Sequence, residues 1–544
     1  MGVPKAECPP KSTLPPVEPT SLRLLAAGAC LLSALTNAYS LLPAKSWAAW
    51  ASVPVSLVAA YAVPPRWPTF CLLIALQAVA CGVALQGALV GPGVSENEAL
   101  VAAVSISAAV WLLLAAPFSL HVAFSRCFPT SLATPLVFPA AWTTAWGLLA
   151  VASPLGAFAS PAAALTEGGL GARAIAQLAA ACGTDAIVFL VSWVGTACAT
   201  WLAAALGLLQ CPHDVARVAQ LRHRRHALVA AACVALCAGA GMQRISNGPS
   251  IASQLAAAQP LRASCVFRVQ DWRDLEFVAA STEADLWRAT ATRIAAGDDL
   301  VLWSEAAIMV KGDAGERALL DKAASLVRSG RAFLGIAYEV MDEDTSAVKA
   351  DSPSRAAAKG VNAFALLRPP PPGAPPDASL VAFRVLKRNP VPVVEAGVRA
   401  SPDTTLPIEQ APFGATAGVI CFDADFPFHV RQVGAGKADL LLQPSQTWGS
   451  MRFRTHHFAG NGLRAVENGF TLLRCAAHGI SGGMGPRLER LAWAATEDKG
   501  TFSMTLPDPR RARMWTLYPR GGWLFLPVCG LGALAAALAL ARRQ

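Results

Sequence analysis

The run Leu300-Val301-Leu302-Trp303-Ser304-Glu305 sets the pattern for the second half of this chain. Four apolar residues followed, one serine later, by a carboxylate fit a strand buried on both faces, with a polar group at its end. Helical patterns flank it at Glu283–Ala296 and Ala314–Arg328. Further short apolar runs read as strands: Ser264–Val269, Ala332–Tyr338, Asn362–Leu367, Leu380–Leu386, Thr416–Cys421, Asp439–Leu442 and Phe470–Ala476. Two more helical patterns lie at Pro427–Val433 and Arg454–Glu467. Strands alternating with helices imply a layered α/β fold over residues 243–521. The proline-rich run 369–376 has no ladder donors to offer, which places it in an exposed extended loop.

Outward from this block the composition changes. Only 15% of the 544 residues are charged and 54% are hydrophobic, whereas an ordinary soluble protein is about one quarter charged. That shortage excludes disorder and argues against a purely water-soluble fold. A helix needs about 20 apolar residues to cross the hydrocarbon core. Suitable runs lie near 22–42, 47–63, 70–90, 99–118, 131–152, 184–209 and 227–242, with a last one near 522–541. Asn37 and Gln77 inside these runs are expected to hydrogen-bond between helices, and Asp185 to mark a helix start near the interface. Lys5, Lys11, Arg23, Arg66, Arg126, Arg217, Arg222, Arg224, Arg225, Arg542 and Arg543 fall on one side of such an arrangement. Lys45 and Arg173 alone fall in the short loops of the other. Basic residues mark the cytoplasmic side. The expected protein is multi-pass, with cytoplasmic N- and C-termini and residues 243–521 on the non-cytoplasmic face. Its parts are a disordered cytoplasmic tail (1–20) with no signal-peptide core, a transmembrane domain of about seven helices (21–242), the globular block (243–521) and a C-terminal transmembrane helix (522–544). The net charge of +10 then points to a bilayer and not to nucleic acid, and the run Arg222–His226 to anionic headgroups.

Eleven of the fourteen cysteines lie outside the globular block and read as small buried hydrophobes. The block keeps Cys265, Cys421 and Cys475. A Cys265–Cys475 bridge is compatible with an oxidising side, though the sequence leaves it open. Adjacent His456 and His457 point to different faces of a helix and no H-x-x-x-H pair exists, so no metal is expected. Reactive side chains close three strand-like runs: Glu305 after Leu300–Trp303, Lys387 after Val385-Leu386, and Cys421 after Gly418-Val419-Ile420.

Glu, Lys and Cys in this order resemble the carbon–nitrogen hydrolase (nitrilase) superfamily. Fusion to several spans before the block and one after it resembles the apolipoprotein N-acyltransferase family. Trp303-Ser304-Glu305 is similar to the family's W-S/P-E, and Lys387 through Glu395 to its K-x-x-L-V-P-F-G-E, with the same eight-residue separation. Cys421-Phe422-Asp423 corresponds to C-Y-E, Trp448-Gly449 to W-F-G, His457 to the Q-H position, Arg464–Asn468 to the R-A-x-E helix, and Leu473–Gly479 to L-x-R-A-T-N-N-G. Phe422, Asp423, Val385 and His478 depart from the family's tyrosine, glutamate, aromatic and asparagine.

The resemblance implies a multi-pass α-helical membrane domain plus an α/β, nitrilase-like, four-layer αββα sandwich. It implies Cys421 as nucleophile, Glu305 as general base and Lys387 as oxyanion stabiliser, without a cofactor. Glu395, Phe422, Asp423, Trp448, Arg464 and Glu467 become substrate-binding or supporting residues. Trp448, Phe453 and Phe458 fall in a segment expected to form a mobile arm over the site, or else to pack in the core. The implied partners are a phospholipid acyl donor, a lipid-modified protein or other amine acceptor, and the bilayer itself. Two other readings compete: a membrane-tethered hydrolase of small amides, and a non-catalytic relative that binds or scaffolds.

Overall fold

Apolar runs with no water to satisfy their peptide groups must close those bonds internally, and they do so as helices. A computed structural model describes residues 19–41, 46–62, 67–89, 95–158, 160–206, 208–209, 212–257, 259–268, 283–343, 360–373, 375, 378–392, 394–395, 397–447, 450–496 and 499–543. The first part holds α1 (Pro19–Leu41), α2 (Ser46–Ala62), α3 (Trp67–Leu89), α4 (Glu96–Cys127), α5 (Thr134–Ala152), α6 (Leu170–Ala176), α7 (Ala179–Ala205), α8 (His213–Ser246) and α9 (Ile251–Ala257). Among the described residues five helical segments are long and apolar enough to cross a membrane: Glu96–Cys127, Thr134–Ala152, Ala179–Ala205, Asp214–Ala256 and Gly522–Ala541. Shorter apolar stretches within α1, α2 and α3 accompany them. The chain is an integral membrane protein.

Asn37 does knit helices together: its Nδ2 donates to Ser56 Oγ of α2 (3.0 Å) and Gln77 Oε1 of α3 (3.2 Å). The seventh expected span, 227–242, is only the end of the 34-residue α8. The basic run Arg222–His226 lies inside that helix, where Arg222 donates to the Thr130 carbonyl and the His223 ring lies 3.1 Å from the Pro129 carbonyl. Cys182 and Gly183 break α7 into two helices, and Asp185 stands in the first turn of the second, the helix-start position expected of it.

The second part is two stacked sheets. Its strands are β1 (Leu261–Arg268), β2 (Leu300–Trp303), β3 (Ile308–Lys311), β4 (Phe333–Met341), β5 (Gly360–Leu367), β6 (Val381–Leu386), β7 (Glu409–Ala411), β8 (Gly414–Gly418), β9 (Leu440–Gln446), β10 (Thr471–Ala477), β11 (Gly479–Met484), β12 (Arg490–Thr496) and β13 (Lys499–Leu506). One sheet runs β13-β1-β2-β4-β5-β6, with β3 added to β4; the other runs β12-β11-β10-β9-β8-β7. Between them come α10 (Glu283–Ala295), α11 (Gly312–Ser329), α12 (Pro427–Ala435) and α13 (Met451–Asn468), followed by α14 (Pro509–Ala512) and the closing span α15 (Phe525–Ala541).

Strand alternation builds the layers. Leu300 and Leu302 face Leu440, Leu442 and Leu473 between the sheets, while Val301 and Trp303 turn outward onto Leu286, Trp287, Leu319 and Ala323 of α10 and α11. On the other sheet Leu441 and Leu472 turn outward onto Val430 of α12 and Phe458, Leu463 and Val466 of α13. The result is the expected αββα sandwich. Its α13 layer shares one apolar core with Ile187, Val188 and Val191 of α7 and Leu165, so the sandwich and the helix bundle have a common wall. Cys265 of β1 and Cys475 of β10 form a disulfide across the two sheets, which resolves the pairing the sequence left open.

Candidate active site

Strands β2, β6 and β8 end at one place in the sandwich. Glu305 lies just past β2, Lys387 directly after β6, and Cys421 opens a tight turn over Cys421–Asp425 after β8. The expected strand Thr416–Cys421 leaves its ladder at Gly418, because Cys421 adopts φ +45°. A left-handed cysteine is strained and needs its surroundings to hold it. Gln443 on β9 does this, its Nε2 donating to the Cys421 carbonyl at 2.8 Å.

Lys387 is fully buried and donates to Glu305 Oε1 (2.6 Å) and Glu395 Oε1 (2.7 Å). Asn362 Nδ2 of β5 also donates to Glu305 Oε1 (2.8 Å). The other Glu305 oxygen accepts the Gln446 amide (2.8 Å), and the Gln446 carbonyl accepts the Cys421 thiol (3.5 Å). One residue of β9 therefore links the carboxylate to the sulfur. Glu395 closes its own loop by accepting from the Val391 amide at 2.6 Å. Asp423 accepts from the Asn389 amide and side chain at 2.8 and 2.9 Å, pinning the turn after the cysteine to the turn after the lysine.

Burial and the Glu305 charge push the Cys421 thiol up, against the pull of Lys387 and Arg474. Burial alone would pull Lys387 down, but Glu305 and Glu395 override it and hold its pKa well above normal. Burial pushes the Asp423 carboxyl up to about 6, opposed by Lys387 and Asn389. The sulfur is thus a protonated thiol beside a permanent cation and an anchored carboxylate. Attack by the sulfur needs its proton removed as the bond forms. Iodoacetamide modification of Cys421 in detergent is expected to keep rising past pH ~9.5, where an ordinary thiol of pKa about 8.5 has levelled off. A plateau below pH ~8, read by mass spectrometry, contradicts the raised value.

A second polar ring backs the turn. Arg474 donates to Thr447 Oγ1 (2.7 Å), Asn461 Oδ1 (3.1 Å) and His457 Nδ1 (3.1 Å). Arginine only donates, so Nδ1 accepts and the His457 Nε2 proton points at Asp425 Oδ2, 2.9 Å away. Burial and Arg474 hold the His457 pKa below normal despite Asp425, which keeps the ring neutral. The sequence reading gave Asn362, Asp425, Gln443 and Asn461 no role. Their signal was a polar residue inside an apolar strand, as in Leu440-Leu441-Leu442-Gln443, or on the inward face of α13 at i, i+4 spacing, as with His457 and Asn461.

Phe422 and Phe453 line an apolar cavity into which Cys421 opens, and whose far wall is Leu85 and Leu89 of α3 with Ala103 and Ile106 of α4. Phe458 packs in the apolar core. Arg464 and Glu467 form a buried 3.0 Å pair, and Glu467 also accepts the Thr184 amide (3.0 Å) just past the break in α7. That pair fastens α13 to α7. Gly183, at φ +75°, allows the break, since a Cβ there would lie 2.5 Å from the Tyr518 ring. Trp448 lies outside the described residues.

One stretch of the chain matches curated proteins. It is 33% identical over 135 residues to an apolipoprotein N-acyltransferase of Gloeobacter violaceus, covering 24% of each chain. The chain is similar to apolipoprotein N-acyltransferases. A second such protein, from Brucella suis, is 30% identical over 123 residues, which span 22% of this chain and 23% of that one. The match thus spans about a quarter of the length of these N-acyltransferases. No protein-family profile matches the chain. Among solved structures, an amidase from Nesterenkonia sp. aligns with 46% of this chain and 90% of its own, at 18% identity and a TM-score of 0.35.

Proposed function

We propose that this protein is a membrane N-acyltransferase that moves a fatty acyl chain from a phospholipid, through a thioester on Cys421, to the N-terminal amino group of a lipid-modified protein. One observation carries the reading: the thiol, coupled to Glu305 and Lys387, opens into an apolar cavity walled by α3 and α4. A soluble amide has no use for such a wall, whereas an acyl donor in the bilayer reaches the sulfur along it. The similarity to apolipoprotein N-acyltransferases supports the same reading.

In the first half-reaction Glu305 takes the thiol proton as sulfur attacks the ester carbonyl. Lys387 and the amide N–H of Phe422 stabilise the oxyanion. Collapse breaks the ester C–O bond, and Glu305 returns the proton to the departing lysophospholipid alcohol. In the second half-reaction Glu305 deprotonates the acceptor amine, which attacks the thioester and releases the Cys421 thiol. Glu395, Asp423, Arg464 and Glu467 support the geometry, and Phe422 with Trp448 contacts substrate. In this proposal residues 1–20 are a cytoplasmic tail, 21–242 and 522–544 span the bilayer, and 243–521 are the catalytic domain on the non-cytoplasmic, oxidising face, in keeping with the Cys265–Cys475 bridge.

Given phospholipid vesicles and no acceptor, wild-type protein is expected to gain a hydroxylamine-labile acyl mass that Cys421→Ala lacks. Equal adducts in both proteins rule out this thiol. Turnover of water-soluble amides with no lipid adduct favours a tethered amidase instead.

A further inference from the structure

The reaction proposed above leans on the backbone amide of Phe422. Phe422 is buried, yet its N–H has no hydrogen-bond partner among the described residues. A buried backbone donor left open is rare. The carbonyl of the same peptide group belongs to Cys421, and it accepts from Gln443 Nε2 at 2.8 Å. In a planar trans peptide the carbonyl and the N–H point opposite ways. Pinning the carbonyl toward β9 therefore turns the open N–H to the other side.

Gln443 is itself fixed end for end. Arg474 Nη1 lies 3.1 Å from Asn461 Oδ1, and a guanidinium only donates, so that atom of Asn461 must be its oxygen. Asn461 Nδ2 then donates to Asp425 Oδ1 (3.2 Å). The Asn461 oxygen takes a second bond, from Gln443 Nε2 at 2.7 Å. The Gln443 nitrogen thus stands between two acceptors, and the amide turned over would set oxygen against both. This orientation leaves Gln443 Oε1 buried and without a partner among the described residues. Its neighbours impose it, at the expense of its own pairing.

We propose that Gln443 is a positioning residue for acyl transfer. Held by Asn461 and Arg474, it aims the Phe422 N–H at the oxygen that turns negative when Cys421 attacks the donor's carbonyl. The inference rests on the acyltransferase reading and deepens it. Gln443 acts only through the peptide group it grips. Donation to the Cys421 carbonyl polarises that group and makes its N–H a stronger donor. A donor aimed beforehand needs no reorientation as charge develops, whereas a peptide free to tip would have to be turned in every cycle.

Two reactions of one sulfur separate this role from a structural one. Alkylation by iodoacetamide displaces iodide from a tetrahedral carbon and forms no oxyanion, while acylation by a phospholipid forms one. Full-length wild type and Gln443→Met, which keeps the side chain's length and loses the donor, are given either reagent, and Cys421 adducts are followed by intact mass. The phospholipid is supplied as vesicles of equimolar phosphatidylethanolamine and phosphatidylglycerol. Gln443→Met is expected to acylate about tenfold more slowly or worse, toward the roughly 10²–10³ that removing an oxyanion donor costs. Its alkylation should follow the wild-type pH profile. If Gln443→Met does not elute as a folded protein, Gln443→Leu decides. Wild-type acylation in the folded variant overturns the proposal. So does a parallel fall of acylation and alkylation, because Gln443 then only keeps the cysteine turn in place; either result leaves the acyltransferase reading standing. No acyl adduct in wild type removes both.

Discussion

Replacing Lys387 with methionine is expected to lower acyl-adduct formation at least 10³-fold and to destabilise the fold together with it. The ammonium lies between two carboxylates, 2.6 Å from Glu305 and 2.7 Å from Glu395, with no exposed surface. Loss of one oxyanion donor alone costs about 10²–10³ in rate, and here the same change also leaves the base facing a second anion. Breaking a buried ion pair from one side typically costs about 3–5 kcal/mol, because the remaining charge is left uncompensated. The two effects separate in the Lys387→Met, Glu395→Gln double variant, which should regain thermal stability and stay inactive. Full activity in either protein would show that the cation is structural only. The thiol supplies an independent check, since Lys387 pulls its pKa down, so alkylation of Cys421 should slow in Lys387→Met.

Glu305→Gln should act in the opposite sense on the free thiol and in the same sense on catalysis. The amide keeps the side chain's size but cannot accept the sulfur's proton. General-base assistance contributes roughly 10²–10⁴-fold, and a loss near the top of that range is expected for the adduct at pH 7. After burial, the Glu305 charge is the largest influence raising the Cys421 pKa. Its removal therefore lowers that pKa, so iodoacetamide should modify Cys421 faster in the variant than in wild type. The acylation defect should shrink as pH rises, because solvent then ionises the thiol without the base. If acylation and alkylation fall together at every pH, Glu305 holds the turn in place and does not move the proton.

The sequence spoke clearly where one residue type had one physical reading. Apolar runs of membrane-spanning length fit helices, and short apolar runs between turn signals, such as Leu300–Trp303, fit doubly covered strands. The three reactive groups were legible because each ended such a run. The glycine-rich β11 and the short β3 and β7 were not, since Gly479–Met484 and Glu409–Ala411 carry no alternation to read. The polar ring of Asp425, Gln443, Asn461 and Arg474 was hidden for another reason. Its members come from four separate elements, and only folding shows that they complete one another's hydrogen bonds. Nor could any local pattern reveal that α3 and α4 would form the far wall of the cysteine's cavity, because uniformly apolar helices carry no mark of the face they present.

The wall that α13 shares with α7 makes the two halves of this protein inseparable as material objects. Phe458, Leu463 and Val466 sit in the same dry core as Ile187 and Val191, and the Arg464–Glu467 pair reaches across to Thr184. Cutting the sandwich free would bare that face to water and take the Thr184 amide from Glu467 at once. The sandwich cannot become a detached, water-soluble domain without a new outer coat, and a change of hydrophobic partner would have to be matched on both sides of the seam.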